Sequence, residues 1–477
     1  MERIDQKRMT ASLPPERVLQ FGEGNFLRAF IDWMFHRMNE SGVFGGSAVV
    51  VQPLENGLVE KLNDQKGLYT LYLRGIQNGE QVDSHEVISS ISRGINPYSD
   101  WEGFLETAAN PDMRFVVSNT TEAGIAYQRM EPPDSCPASF PAKLTAWLVR
   151  RFELLGGTAD SAMIFMPCEL INYNGRKLKE CILKHSADWK LGGDFDAWIE
   201  NDCIFLSTLV DRIVPGYPGD EAESMISQLG YSDDLICTGE IFHLLVIEGP
   251  EELKAELPFH KAGLNAVWTD DMQPYRNLKV SILNGAHTSS VLAAYLGGLD
   301  LVREMVEDGL FGRYVQAVLF NEIIPTLDVE REEAKVYAGA VLERFRNPFI
   351  RHELLSISLN SVSKWKVRVL PSVKNYIVKF GEVPSLLAFS MAALIAFYKG
   401  DLRDGYEPND DPAVLEFFQT AWSGPEVVAR VLEHTDFWGE DLTALPGFEL
   451  EVSKALGRML HGGMRKAVKD WLDHEDA

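Results

Sequence analysis

The chain has 477 residues, more than one ordinary hydrophobic core serves, so two domains or one large α/β unit with a helical partner are expected. Apolar residues at 45% and charged residues at 24% describe a globular protein and exclude disorder. With 70 acidic against 45 basic residues the net charge is −25, which opposes nucleic acid and anionic membrane surfaces, and an anionic small molecule would need a local basic cluster.

Five scattered cysteines without a Cys-x-x-Cys pair fit a reducing cytoplasm, and the stretch from Met1 to Lys7 carries no secretory signature. The longest apolar run, Leu386 to Tyr398, is too short to span a bilayer and reads as a buried helix. No His-Glu-x-x-His and no paired cysteines occur, so no metal site is expected.

Arg17 to Phe21 reads as a strand that runs into Gly22-Glu23-Gly24-Asn25-Phe26-Leu27-Arg28 and then a helical pattern from Ala29 to Met38. Strand, glycine turn and helix is the dinucleotide-binding order, with Leu27 where the fingerprint has its third glycine. Phe21, Gly22, Glu23, Gly24, Asn25 and Phe26 are therefore candidate cofactor contacts, although an ordinary strand-to-helix turn reads the same way. A second strand, Ser47 to Gln52, ends in Gln52 where NAD enzymes usually carry an acidic residue for the ribose. Glutamine still bonds a hydroxyl, and no basic residue in Pro53 to Asn56 is there to meet a 2′-phosphate, so the expected cofactor is NAD. A third strand, Arg114 to Asn119, delivers Asn119, Thr120 and Thr121 to its C-terminal edge, as nicotinamide-side contacts or as a polar turn.

A strand from Ser161 to Met166 leads into Pro167-Cys168-Glu169-Leu170-Ile171-Asn172. In Leu206 to Pro215, Asp211 is a carboxylate amid apolar residues and needs a partner. If the segment is extended, Arg212 points to the opposite face, which leaves Asp211 for another cation; a structural ion pair fits as well. Beyond residue 240 helical periodicity takes over, in Leu301 to Phe320, Glu332 to Arg346, Leu386 to Tyr398 and Ala413 to Gln419. Ile247-Glu248-Gly249-Pro250 breaks regular structure, which suggests a Rossmann-type domain over 1–246 and a mainly helical domain over 247–477.

Leu278 to Thr288 reads as a helix carrying Lys279, Asn284 and His287. At 100° per residue the three polar heads share one side, and Gly285 and Ala286 between them leave room for close approach. A lysine in a dry pocket loses pKa and can shuttle a proton, while an amide and an imidazole beside it can polarise a carbonyl oxygen. A surface lysine with two satisfied core polar groups has the same spacing. Further on, Arg344, Asn347, His352, Lys364 and Arg368 are basic or polar groups in an acidic chain. Asn360, Lys364 and Arg368 form one helical stripe, either a substrate-facing cluster or a solvated basic face.

Gly22-x-Gly24-x-Phe26-x-Arg28, Thr121-Glu122-x-Gly124, Val210-Asp211-Arg212-Ile213-x-Pro215 and Lys279-x4-Asn284-x2-His287 together resemble the mannitol dehydrogenase family over nearly the whole chain. The resemblance implies metal-free hydride transfer between NAD and a small polyol or sugar acid. Lys279 would be the general acid/base, Asn284 and His287 would hold the reactive oxygen, Asp211 would lie near Lys279, and Arg344, before Asn347-Pro348, would hold substrate. At Leu170 the chain departs from the asparagine of polyol-oxidising relatives, and Asn172 or Glu169 stand nearest to replace it. Within the family, Gln20 to Phe30, Ser118 to Gly124 and Ile282 to Thr288 are most similar to the branch acting on a hexuronate and its hexonate, with Lys364 and Arg368 as further substrate contacts. A stereoisomeric uronate or an uncharged polyol would use the same machinery. A dinucleotide sensor without chemistry would not need the intact lysine, and the oligomeric state stays open.

Overall fold

Alternate residues of the N-terminal strands enter two different hydrophobic cores, which is why those strands read as unbroken apolar runs. The computed structural model describes residues 3–4, 13–120 and 123–475. Val18 of β1 (Glu16–Phe21), Ala48 and Val50 of β2 (Ser47–Val51) and two residues further along, Phe115 and Val117, face one core. Leu19, Phe21, Val49, Val51 and Val116 face the other.

These strands belong to a six-stranded parallel sheet in the order β5 (Ile91–Ile95), β2, β1, β6 (Phe115–Ser118), β7 (Ile164–Pro167), β8 (Ile204–Phe205). The strand order reverses at β1, which lies between β2 and β6. In such sheets ligands bind beyond the strand C-termini at that reversal. Leu144, Trp147, Leu178 and Trp198, on helices Phe140–Leu155, Asn174–Trp189 and Gly193–Asn201, fill the core on one face. Met34, Phe35 and Met38 of helix Ile31–Glu40 fill the core on the other.

Two small sheets extend this unit. One has the order β10 (Cys237–Glu240), β3 (Tyr69–Gln77), β4 (Glu80–Ile88); the other has β12 (Ala266–Thr269), β11 (Leu244–Glu248), β9 (Ser207–Asp211). The break expected between 246 and 247 falls inside β11, which pairs with β9 on one side and β12 on the other. Gly249-Pro250 ends a strand and not a domain. The first unit comprises Met1–Arg74 and Gln81–Met272, and the second comprises Gly75–Glu80 and Gln273–Ala477.

The second unit is helical. Every residue from Leu386 to Phe397 of helix Ser385–Phe397 is buried, and the Glu322 carboxylate accepts the N–H groups of Leu386 at 2.8 Å and Leu387 at 2.7 Å, capping the helix from inside the core. Helices Arg331–Phe345 and Pro412–Trp422 lie where the periodicity places them. The single helix expected over 301–320 is instead broken into Val302–Glu307, Phe311–Ala317 and a π-helical Val318–Ile323. Asp308 starts the second piece by accepting the N–H groups of Leu310 and Phe311. Among the described residues no helix is long and apolar enough to cross a membrane.

Candidate active site

One helical run carries Lys279, Asn284 and His287, but it is not α-helical throughout. Gln273–Leu278 is α-helical, Lys279–Asn284 is π-helical and Gly285–Leu296 is α-helical again. The angles expected from an uninterrupted α-helix therefore do not apply. In a π turn the N–H of residue i+5 bonds the carbonyl of residue i, so residues five apart, such as Lys279 and Asn284, lie nearly above one another. Insertions of this kind are frequent at functional sites. Lys279 and Asn284 are half-buried, and His287 is buried at 7% exposure. A Cβ on Gly285 would sit 3.4 Å from the Arg368 carbonyl oxygen, an ordinary contact, so no close backbone approach demands glycine there.

Positive charge gathers around His287. The Phe345 ring stacks on the imidazole with centroids 4.2 Å apart, and His352 meets it edge-on at 5.2 Å. Burial holds the His287 pKa well below its usual value, and the charges of His352, Arg344, Arg368 and Lys364 depress it further. The imidazole is thus neutral near pH 7, and its buried Nε2 has no hydrogen-bond partner among the described residues. Arg344, in the last turn of helix Arg331–Phe345, is buried, as is Asn347, whose Oδ1 accepts the Phe349 N–H at 3.0 Å. From helix Ser361–Arg368, Arg368 donates to the Thr288 hydroxyl at 3.4 Å and Lys364 to the Ile357 carbonyl at 2.9 Å. Burial lowers the pKa of both, and Arg368 lowers that of Lys364 further. Lys364 and Arg368 are therefore not a plain solvated face, whereas Asn360, the first member of the stripe, is exposed ahead of the helix. Phe345 and the role of His352 escaped sequence reasoning, because a ring contact across three elements leaves no spacing to read.

In the first unit, the turn after β1 sits at the reversal of strand order. Gly22 has φ +125, and a Cβ on it would come within 3.1 Å of the Asn119 carbonyl oxygen and of Leu27, so the position requires glycine. Leu27, in the place of the third glycine, packs into that space. A Cβ on Gly24 would meet nothing within 4 Å, so no protein contact demands glycine there, which is what close approach of a ligand would require. The helix after the turn is only Asn25–Arg28, a single turn, and the longer helix begins at Ile31. Arg28 is a buried strut: Nε donates to the Glu23 carbonyl at 3.1 Å, Nη2 to Asn25 Oδ1 at 2.6 Å, and Nη1 to the Leu235 carbonyl. Phe26 stacks on Phe30 at 5.2 Å. Phe21 is fully buried against Phe104 and Phe140, so its side chain is core.

Gln52 is tied to its own loop: its Nε2 donates to the carbonyls of Leu54 and Glu55, both at 2.9 Å, and its Oε1 accepts the Val59 N–H at 3.3 Å. Asn119 donates from Nδ2 to the Cys168 carbonyl at 2.7 Å, and Thr120 donates from N and Oγ1 to Glu169 Oε1, both at 3.0 Å. Thr121 lies outside the described residues. Glu169 is buried and also accepts from Ser118 at 3.0 Å, so it braces the edge of β6, while Leu170 is 60% exposed and Asn172 is exposed. Asn174, which sequence reasoning passed over, is fully buried and ties the end of β7 to β9 through the Pro167 and Thr208 carbonyls.

Asp211 ends β9, buried at 4%, in the first unit, while Lys279 belongs to the second. Its neighbour Arg212 lies over the Trp33 ring at 4.2 Å and donates to the carbonyls of Phe242, Ala29 and Ile241, and burial brings its pKa down to about 9. No group of three or more His, Cys, Asp or Glu side chains among the described residues is placed to hold a metal ion.

Residues 16–261 match the mannitol dehydrogenase Rossmann domain, and residues 271–460 match the mannitol dehydrogenase C-terminal domain. The chain is 44% identical to the altronate oxidoreductase of Pectobacterium carotovorum subsp. carotovorum, covering 99% of this chain and 100% of that protein. It is 43% identical to the altronate oxidoreductase of Halalkalibacterium halodurans, with coverage of 98% and 95%. Among solved structures, D-sorbitol dehydrogenase in substrate-free form superposes with a TM-score of 0.81 at 20% identity, covering 98% of this chain and all of that one. The Pseudomonas fluorescens mannitol 2-dehydrogenase ternary complex with NAD and D-mannitol superposes with a TM-score of 0.67 at 21% identity, with coverage of 97% and 96%. At those identities the likeness shows the fold. The chain belongs to the mannitol dehydrogenase family of oxidoreductases acting on CH–OH groups.

Proposed function

We propose that this protein interconverts D-tagaturonate and D-altronate with NAD(H). The observation that carries the reading is the cluster of Arg344, Lys364 and Arg368 acting on a buried, neutral His287 in a chain of net charge −25. Burial pushes down the pKa values of Lys364 and Arg368, a cost that nearby negative charge offsets. A substrate carboxylate supplies that charge, and an uncharged polyol does not. The relatives that are 44% identical are named altronate oxidoreductase, which names one member of that pair.

The fit to a nicotinamide dinucleotide rests on the turn at Gly22 and Gly24 and on the braced edge at Asn119 and Thr120. When bound, the dinucleotide supplies or accepts the hydride at the substrate carbon. Lys279 gives a proton to the ketone oxygen in reduction and takes it back in oxidation, and Asn284 and His287 stabilise the charge that develops there. Neutral His287 serves as a hydrogen-bond donor without competing with the lysine for the proton. Arg344, Asn347, Lys364 and Arg368 orient the carboxylate end, and Asp211 acts in catalysis as the family resemblance implies. The test is NADH oxidation followed with tagaturonate, fructuronate and fructose in parallel. Tagaturonate should be turned over fastest, and a preference for fructose would overturn the reading.

A further inference from the structure

Gln52 spends both Nε2 donors on its own loop, so the end of β2 carries an amide tied to that loop and no carboxylate for a ribose hydroxyl. A different carboxylate reaches that place. Glu23, between the two glycines of the turn, extends to the 57–58 segment, where its Oε1 accepts the Leu58 N–H at 3.4 Å. Gly57 makes room for it: a Cβ there would lie 2.2 Å from Glu23 Oε1 and 2.6 Å from Gln52 Oε1, so the carboxylate and the amide converge on one residue. The other carboxylate oxygen, Oε2, is buried and has no hydrogen-bond partner among the described residues. Burial also holds this carboxyl above its usual pKa, as expected of a carboxylate short of donors.

We propose that Glu23 is the residue that selects a dinucleotide with a free 2′-hydroxyl, its Oε2 accepting from the adenosine ribose and its charge repelling a 2′-phosphate. This rests on the reading of the chain as a nicotinamide-dinucleotide enzyme and deepens it. The role normally held by an acid at the end of the second strand has moved to the turn after the first. The cation that acts on Glu23 is Arg28, whose guanidinium is committed to the Glu23 carbonyl at 3.1 Å, Asn25 Oδ1 at 2.6 Å and the Leu235 carbonyl, and not to the Glu23 carboxylate. Glu23 Oε2 is thus an acceptor lacking a donor among the described residues.

The test is direct binding, by fluorescence titration of NADH and NADPH against the unaltered protein, Glu23→Gln and Glu23→Ala. Glu23→Gln keeps an oxygen for the Leu58 N–H and removes the charge. Losing a charge-assisted bond weakens NADH by about tenfold to a hundredfold, and removing the repulsion tightens NADPH, so the NADPH-to-NADH ratio of Kd values should fall by at least about tenfold. An unchanged ratio, including equal weakening of both cofactors, would overturn the proposal and leave Glu23 as a shaper of the turn. Should the variants fail to fold, the unaltered protein still decides: adenosine 5′-monophosphate should compete with NADH far better than adenosine 2′,5′-bisphosphate, and equal competition would overturn the proposal. If the unaltered protein binds neither dinucleotide, the cofactor reading itself falls and this proposal with it.

Discussion

Phe345 lies flat on His287, with ring planes 14° from parallel and centroids 4.2 Å apart. The stack fixes the imidazole plane, and burial, helped by the charges of Arg344, Arg368 and Lys364, keeps it neutral. A neutral ring held in one plane is a directional hydrogen-bond donor. Replacing His287 by alanine should therefore lower kcat by about 10²–10³-fold, the usual effect of removing one donor to a developing oxyanion. Steady-state kinetics at saturating NADH checks this, and a change in KM alone would reassign His287 to substrate binding.

Lys279 is the proposed proton donor, on the π-helical turn it shares with Asn284. Lys279→Ala should reduce kcat by about 10²–10⁴-fold, with the dissociation constant of NADH essentially unchanged, since the cofactor turn belongs to the other unit. Turnover kinetics beside a cofactor titration separates the two effects. Near-normal turnover would sink the assignment.

How far these roles were legible in the sequence depended on the range of the interaction that fixes them. Gly22 could be read because its requirement is local: one residue, one positive φ, one neighbouring carbonyl. The parallel strands could be read because burial on both faces leaves its mark on every residue from Ser47 to Val51. The π-helical turn could not, because a pattern of apolar residues specifies a helix without saying where one extra residue is inserted. Gln52 is a related case. Its position at the end of β2 was legible, but the bonds of its amide to its own loop depend on Val59 and Gly57, which no motif ties to it.

The basic cluster gives a prediction about discrimination. Alanine at Arg344, Lys364 or Arg368 should weaken the uronate more than an uncharged ketose, by about tenfold to a hundredfold for whichever residue grips the carboxylate through two bonds. Raised salt should increase KM for the uronate and leave the ketose nearly unaffected, because screening acts on the charged partner. Equal effects on both substrates at all three positions would mean that these residues hold the fold or the shared hydroxyls.

Chelation gives a fourth test, motivated by the proposal of Lys279 as the acid and by the absence of a ligating group of side chains among the described residues. Activity should survive prolonged EDTA treatment. Its loss, with recovery on adding zinc or manganese, would show that Lys279 is not sufficient to polarise the oxygen.

The last prediction concerns a carboxyl beneath the cofactor turn. Asp32 is fully buried, and Gln20 Nε2 donates to its Oδ2 and to the Gly22 carbonyl, both at 3.0 Å. Asp32 Oδ1 and Gln20 Oε1 are both buried without partners among the described residues. Two acceptors without a donor are relieved if the carboxyl keeps its proton. Burial accordingly raises the Asp32 pKa from 3.8 to about 7, against smaller lowering effects from Gln20 and Arg28. The folded chain then holds a proton that the unfolded chain has lost between pH 3.8 and about 7, so this group's stability is fully present below 3.8 and disappears as pH rises through about 7. A shift of roughly three units at 1.36 kcal/mol each sets an upper limit of about 4 kcal/mol. Asp32→Asn removes the titration and supplies a permanent N–H donor in nearly the same shape. Relative to the unaltered protein, the variant should gain stability on going from pH 5 to pH 8, and the gain should level off above about pH 7. Thermal melts of both proteins across that range would measure it. A melting difference that does not change with pH would mean that Asp32 titrates no differently in the folded chain than in the unfolded one, and that the orphaned oxygens are satisfied by something other than its proton.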